Sequence, residues 1–176
     1  MVKVACYTNK EGNLEILIPA YNDGARSADD TDDDLLERLI ARKQADGGIP
    51  SVASYRIIDH SEVPSDRIFR DSWEDTGTGP VQVNLPKARG IHMDRIRQVR
   101  NAELVKKDVD FMRAIEAGDT SAQSTIAAEK QTLRDIPQTY NLSCFKTPEE
   151  LKAAWPKELD KRINDVKNGI CVVKER

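Results

Sequence analysis

Apolar and polar residues alternate from the start of the chain: Val2, Val4 and Cys6 fall on one side of an extended segment, and Leu14, Ile16 and Ile18 resume the same period of two. The intervening Asn9-Lys10-Glu11-Gly12-Asn13 is rich in turn formers, so the pattern predicts a β-hairpin. A polar, acidic stretch then leads into Leu35, Leu36, Leu39 and Ile40, the stripe of a short amphipathic helix that Asp or Thr caps and Gly47-Gly48 ends. After Pro50, Ser54-Tyr55-Arg56-Ile57-Ile58-Asp59 has the composition of a short strand. Residues 65–86 carry enough Gly and Pro to break any long element, and only a brief strand at Val81-Gln82-Val83 is predicted there.

The second half follows a helical period. Residues 87–116 contain no Pro and carry Ile96, Val99, Ala102, Val105, Val109 and Met112 as an apolar seam. Gly118-Asp119-Thr120 supplies a stop and a new cap, and a second helix with Ile126 and Leu133 is expected to end before Pro137. A single helix cannot bury the seam, so the second is expected to return across it as an antiparallel hairpin. Thr147-Pro148-Glu149-Glu150 joins an N-cap, a Pro at the first helical position and a Glu three residues after the cap. The helix it opens is expected to reach Trp155, with further turns from Pro156 to Val166, a stop at Gly169 and an edge strand over Ile170-Val173. The fold class is therefore α+β, with an N-terminal α+β part over 1–86 and a helical hairpin and C-terminal helix over 87–176, read as one compact unit with an arm.

Composition narrows the function classes. The 176 residues are 39% hydrophobic and only 5% aromatic, so Ile, Leu, Val and Ala must build the core. A net charge of −3 argues against a general nucleic-acid binder, which shows a basic surplus. The longest apolar runs are a few residues, against the roughly 20 that cross a bilayer, and the start of the chain lacks the apolar stretch of a secretory signal. Folding in a reducing cytosol is the expectation. Cys6, Cys144 and Cys171 are odd in number and scattered, and are read as small buried apolar residues.

Candidate chemistry is sparse. Asp75-Thr76-Gly77 copies the tripeptide of aspartic proteases, whose two carboxylates share a proton, but it occurs once and in a turn-rich context. A dimeric hydrolase using Asp75 is thus the enzymatic alternative. Asp30, Asp32 and Asp34 have the spacing that opens a calcium loop, yet Leu35 and Ala41 stand where that loop needs Gly and Glu. The acids instead suit the start of a helix. His60 and His92 are the only histidines and are read as surface or capping residues, so no metal cluster, cofactor fingerprint or catalytic residue is assigned. Arg89, Arg95, Arg97, Arg100, Lys106 and Lys107 make the long helix basic in its first half, diluted by Asp94, Glu103 and Asp108.

One segment is unusual for a surface: Asp66-Arg67-Ile68-Phe69-Arg70-Asp71-Ser72-Trp73. Arg and Trp dominate binding hot spots because they offer large contact area and several donors with few rotors. Two readings stand side by side, a partner-binding loop or an internal clamp in which Phe69 and Trp73 pack on the core and Arg–Asp pairs tie the loop down.

Five ordered blocks carry a resemblance. They are Pro64, Asp66, Arg67, Phe69, Arg70 and Trp73; His92, Asp94, Arg95, Arg97 and Arg100; Ala114, Glu116, Ala117, Gly118 and Asp119; Leu133, Arg134, Asp135 and Pro137; and Thr147 through Pro156. Over roughly residues 14–156 the chain resembles small proteins encoded near the tail-fibre and tail-tip genes of tailed bacteriophages and prophages. The resemblance implies a non-catalytic structural or tail-assembly protein of the virion tail, made in the host cytoplasm and oligomeric in an assembly. It implies other tail or tail-fibre proteins as partners, with no membrane, nucleic acid or cofactor. Asp66, Arg67, Phe69, Arg70, Trp73, Arg95, Arg97 and Arg100 are the expected contact residues. A small phage-encoded regulator of a host protein is a further alternative.

Overall fold

In the computed structural model, which describes residues 2–20, 26–27, 29–49 and 55–159, the N-terminal alternation becomes strands β1 (Lys3–Thr8) and β2 (Leu14–Leu17). The two pair antiparallel, with Ala5 opposite Leu17 and Cys6 opposite Ile16. Strand β3 (Tyr55–Asp59) adds to the other edge of β1, with Val4 opposite Ile58 and Cys6 opposite Arg56, giving the order β2-β1-β3. The middle strand is buried on both faces. One face carries Val4, Cys6, Leu14 and Ile58 and packs on Trp73 and Val81. The other carries Ala5 and Tyr7 and packs on Leu36, Ile40 and Ile49 of the helical side.

That helical side is α1 (Asp32–Ala45). Thr31 caps it in a reciprocal box with Asp34, and Asp32 and Asp33 fill the first turn, so the acidic run neutralises the positive end of the helix. Gly47 follows with φ of 72°, and the amides of Gly48 and Ile49 both return to the Lys43 carbonyl.

The opposite face of the sheet is covered by residues 60–83. Short 3-10 turns span His60–Glu62 and Arg67–Ser72, followed by β4 (Trp73–Glu74) and β5 (Gln82–Val83), which pair Trp73 with Val83. The sequence pattern indicated the second of these strands and missed the first, because two residues are too few to show a period. Asp66 caps the longer turn by accepting from the Ile68 amide at 3.0 Å, and the Ser72 hydroxyl donates to the Phe69 carbonyl at 2.7 Å.

The chain divides into two compact units, Met1–Asn84 and Leu85–Arg176. The second unit is helical. Helices α2 (Leu85–Glu116) and α3 (Thr120–Thr139) form the predicted antiparallel hairpin, closed by Gly118 at φ of 66° and by Asp119, which accepts from the Ala122 amide. Lys107–Glu129 and Asp108–Lys130, both at 2.5 Å, bridge the helices, and Gln123 donates to the Ala114 carbonyl. Helix α4 (Pro148–Ala153) starts with the predicted Thr147–Glu150 capping box but stops two residues short of Trp155. The further turns and edge strand expected within 160–173 lie outside the described residues.

Three expectations are corrected. Helix α3 does not end before Pro137 but runs to Thr139, since in the last turn Pro forfeits only its bond to the Leu133 carbonyl. His92 is not at the surface: it is 1% exposed, its Nε2 lies 2.6 Å from the Ala154 carbonyl, and Trp155 meets its ring edge-on. Finally, α3 does not cover the expected seam. Of its members only Ile96 is buried, while Val99, Ala102, Val105, Val109 and Met112 stay exposed.

Candidate interaction surface

Residues 60–81 and the end of β2 line a half-open cavity of about 610 Å³. Ile16, Ile18, Trp73 and Val81 give it apolar walls, and His60 and Arg67 stand at its polar side. Ile18 is half exposed, an apolar side chain one position beyond β2 that continues the strand's alternation. Trp73 is 4% exposed and its indole nitrogen has no hydrogen-bond partner among the described residues.

The two readings of the 66–73 segment each hold for part of it. Phe69, at 1% exposure, and Trp73 are core residues, so the aromatic half is an internal clamp. The charged half is not. Arg67, Arg70 and Asp71 are exposed, and neither arginine forms an ion pair among the described residues. The Arg–Asp clamps are therefore absent for Arg67 and Arg70, and Asp66 serves as a cap instead. The backbone kinks at Phe69, with φ of −110° and ψ of 29°, so Arg67 and Arg70 leave the segment on either side of a kink: Arg67 lines the cavity and the Arg70 charge reaches Glu15.

The arginines of α2 are arranged otherwise. Arg97 bonds to Asp94 at 2.7 Å one turn away, Arg100 donates to its neighbour Asn101, and Arg95 is half-buried. Their charge is spent locally along the helix, the pattern of a solvated face. Sequence reasoning grouped them with Arg67 and Arg70 by residue type. They lie in the second unit, whereas Arg67 and Arg70 lie in the first.

Asp75 is engaged on both oxygens. Arg56 Nε and Nη2 approach at 2.9 and 2.5 Å, the Gly77 amide donates at 3.0 Å, and the Cys6 thiol lies 3.4 Å away. The Arg56 hydrogen bonds, against some desolvation, hold the Asp75 carboxyl below its usual range. A proton-sharing dyad requires the reverse, a carboxyl pushed upward by a like charge. Burial and the Asp75 charge push the Cys6 thiol up to about 11, so it stays protonated and unreactive. Cys144 departs from the expectation for the cysteines, being half-buried, and Cys171 lies outside the described residues.

His60 is exposed beside the cavity, as a surface histidine should be. Among the described residues no cluster of three His, Cys, Asp or Glu side chains is placed to hold a metal ion. No described helix is long and apolar enough to cross a membrane. Sequence reasoning missed Ile16, Ile18 and His60 as cavity residues; the one available signal was the apolar alternation continuing past the strand. No protein-family model, curated protein or solved structure matches the chain.

Proposed function

We propose that this chain is a non-catalytic tail-associated structural or assembly protein of a tailed bacteriophage, working through protein–protein contacts in the virion tail. The five ordered sequence blocks support the phage context. The observation that carries the contact role is the loop at 66–73: buried Phe69 and Trp73 fix its backbone, while Arg67, at the edge of the cavity, and Arg70, whose charge reaches Glu15, are exposed and form no ion pair among the described residues. A rigid loop presenting two guanidinium groups loses little conformational freedom when it docks, and each fork matches a carboxylate of a tail or fibre protein.

The decisive variant is Arg67→Ala with Arg70→Ala. Both side chains are exposed, so the melting temperature is expected to stay within about 2 °C of wild type, as surface changes of under about 0.5 kcal/mol imply. Pull-down of the tail and fibre proteins of the same phage is expected to fall at least about tenfold, since each charged contact in a docked interface contributes on the order of 1–2 kcal/mol. A double variant that still binds normally removes the contact role. Mass spectrometry of purified particles tests the location: absence of the chain from both virions and tail-assembly intermediates removes the tail assignment.

A further inference from the structure

The seam that α3 leaves uncovered is itself regular. Ala102, Val105, Val109 and Met112 are spaced by three, four and three residues, the a/d rhythm of a coiled coil, with Val99 and Ile115 widening the stripe at its ends. At 100° per residue it lies on the side of α2 opposite Lys107 and Ala114, which meet α3. Val105 is 63% exposed, Met112 55% and Val109 48%, and the stripe runs for ~24 Å, the rise of sixteen helical residues. Scattered exposed apolar residues need no explanation, but a continuous stripe at heptad spacing marks a surface that another helix covers.

We propose that this outer face of α2 is a self-association surface, on which a second copy of the chain lays its own α2 in parallel, in register. The borders of the stripe select that occupant and that direction. Lys106 and Arg113 lie along one border, and Asp108 along the other. In a parallel two-fold pair each border meets the opposite border of the copy, so Asp108 of one chain stands five residues before Arg113 of the other, the spacing at which facing borders pair, and symmetry makes the contact twice. An antiparallel pair sets cations against cations and Asp108 against Asp108. The three charges are themselves exposed and are held at present by neighbours, Lys106 by Glu103, Arg113 by Asp110 and Asp108 by Lys130, of which only Asp110 is exposed. The Arg113–Asp110 pair is exposed on both sides and weak, so it does not oppose re-pairing of Arg113 across a dimer. Because α3 already backs α2, joining two hairpins along this stripe gives a four-helix arrangement within the pair. A seam this short buries less than the roughly 800 Å² per partner of a standard interface, so the dimer forms reversibly as concentration rises.

This inference does not rest on the phage assignment. Sedimentation velocity of the full chain in reducing buffer, which removes cysteine cross-links, is expected to show a species near 19.8 kDa at low concentration that moves toward twice that mass as concentration increases. Val105→Glu with Val109→Glu is expected to hold the chain at monomer mass with an unchanged melt, because both side chains are exposed. Asp108→Arg alone is expected to weaken the dimer at least about tenfold, and adding Arg113→Asp restores it by reversing the pair. A wild-type chain that stays monomeric throughout overturns the proposal and leaves the stripe to a different protein. A dimer indifferent to the two glutamates, or a reversed pair that fails to rescue while its melt remains normal, overturns it as well.

Discussion

Asp75 is held in an ion pair with Arg56. Its tripeptide is that of a catalytic carboxylate, but Arg56, 26% exposed in its side chain, takes both oxygens, and the following glycine closes an Asx-type turn. The pair joins β3 to the segment after β4, so its loss is a stability effect. Replacing Asp75 by Ala leaves the partly buried Arg56 with the Gly79 carbonyl but no carboxylate, and is expected to cost about 2 kcal/mol in urea denaturation, between the values for exposed and fully buried pairs. The sign with pH follows from the depressed carboxyl: its contribution is complete above the unfolded value of about 3.9 and is lost as pH falls through the lower folded value. A variant as stable as wild type at neutral pH would show that Arg56 finds an equal partner in water.

At the scale of elements, local signals succeed where the energy is local. The Thr147–Glu150 box satisfies two amides at a helix start within four residues, and it formed as written. Helix α4 has only six residues and buries Leu151 completely, so its start cannot fray without exposing that leucine. Thr147→Ala is expected to destabilise the second unit by about 1 kcal/mol, read as a lower urea midpoint at unchanged slope. Helix α2 shows the limit of the same reasoning. Its apolar residues make a helix by their period, yet a helix has more than one side, and the half-buried Leu104 and Phe111 and the buried Ala114 offered α3 an alternative to the seam. Salt bridges from Lys107 and Asp108 to α3 accompany the side that was used.

For the whole molecule, each unit has one tryptophan: Trp73 in the sheet core of the first and Trp155 against His92 in the second. Burial lowers the pKa of His92, outweighing the raising effect of the Ala154 carbonyl, and the nearby Arg95 charge lowers it further. The unfolded chain therefore binds a proton that the folded one refuses, so stability falls as pH drops below the unfolded value of about 6.5 and levels off below the folded one. With Trp73→Phe and Trp155→Phe as single-tryptophan reporters, mild acid is expected to lower the melting temperature read by Trp155 before that read by Trp73. His92→Gln is expected to flatten the Trp155 response across that range. Equal acid sensitivity at both reporters, or a Gln variant with the wild-type profile, would place the sensitive group elsewhere.

The sequence by itself determined the α+β class, the hairpin of β1 and β2, the capped starts of α1 and α4, and the α2–α3 turn at Gly118-Asp119. Each follows from groups within a few residues of one another: alternation, a capping side chain, a glycine with positive φ. Only the tertiary structure decided that β1 is buried on both faces, that Trp73 and Phe69 are core while Arg67 and Arg70 are surface, that Asp75 belongs to Arg56, and that His92 is enclosed by Ala154 and Trp155. It also decided which side of α2 meets α3. These outcomes depend on which faces meet across long stretches of chain, and period alone tells that a face is apolar without telling what covers it.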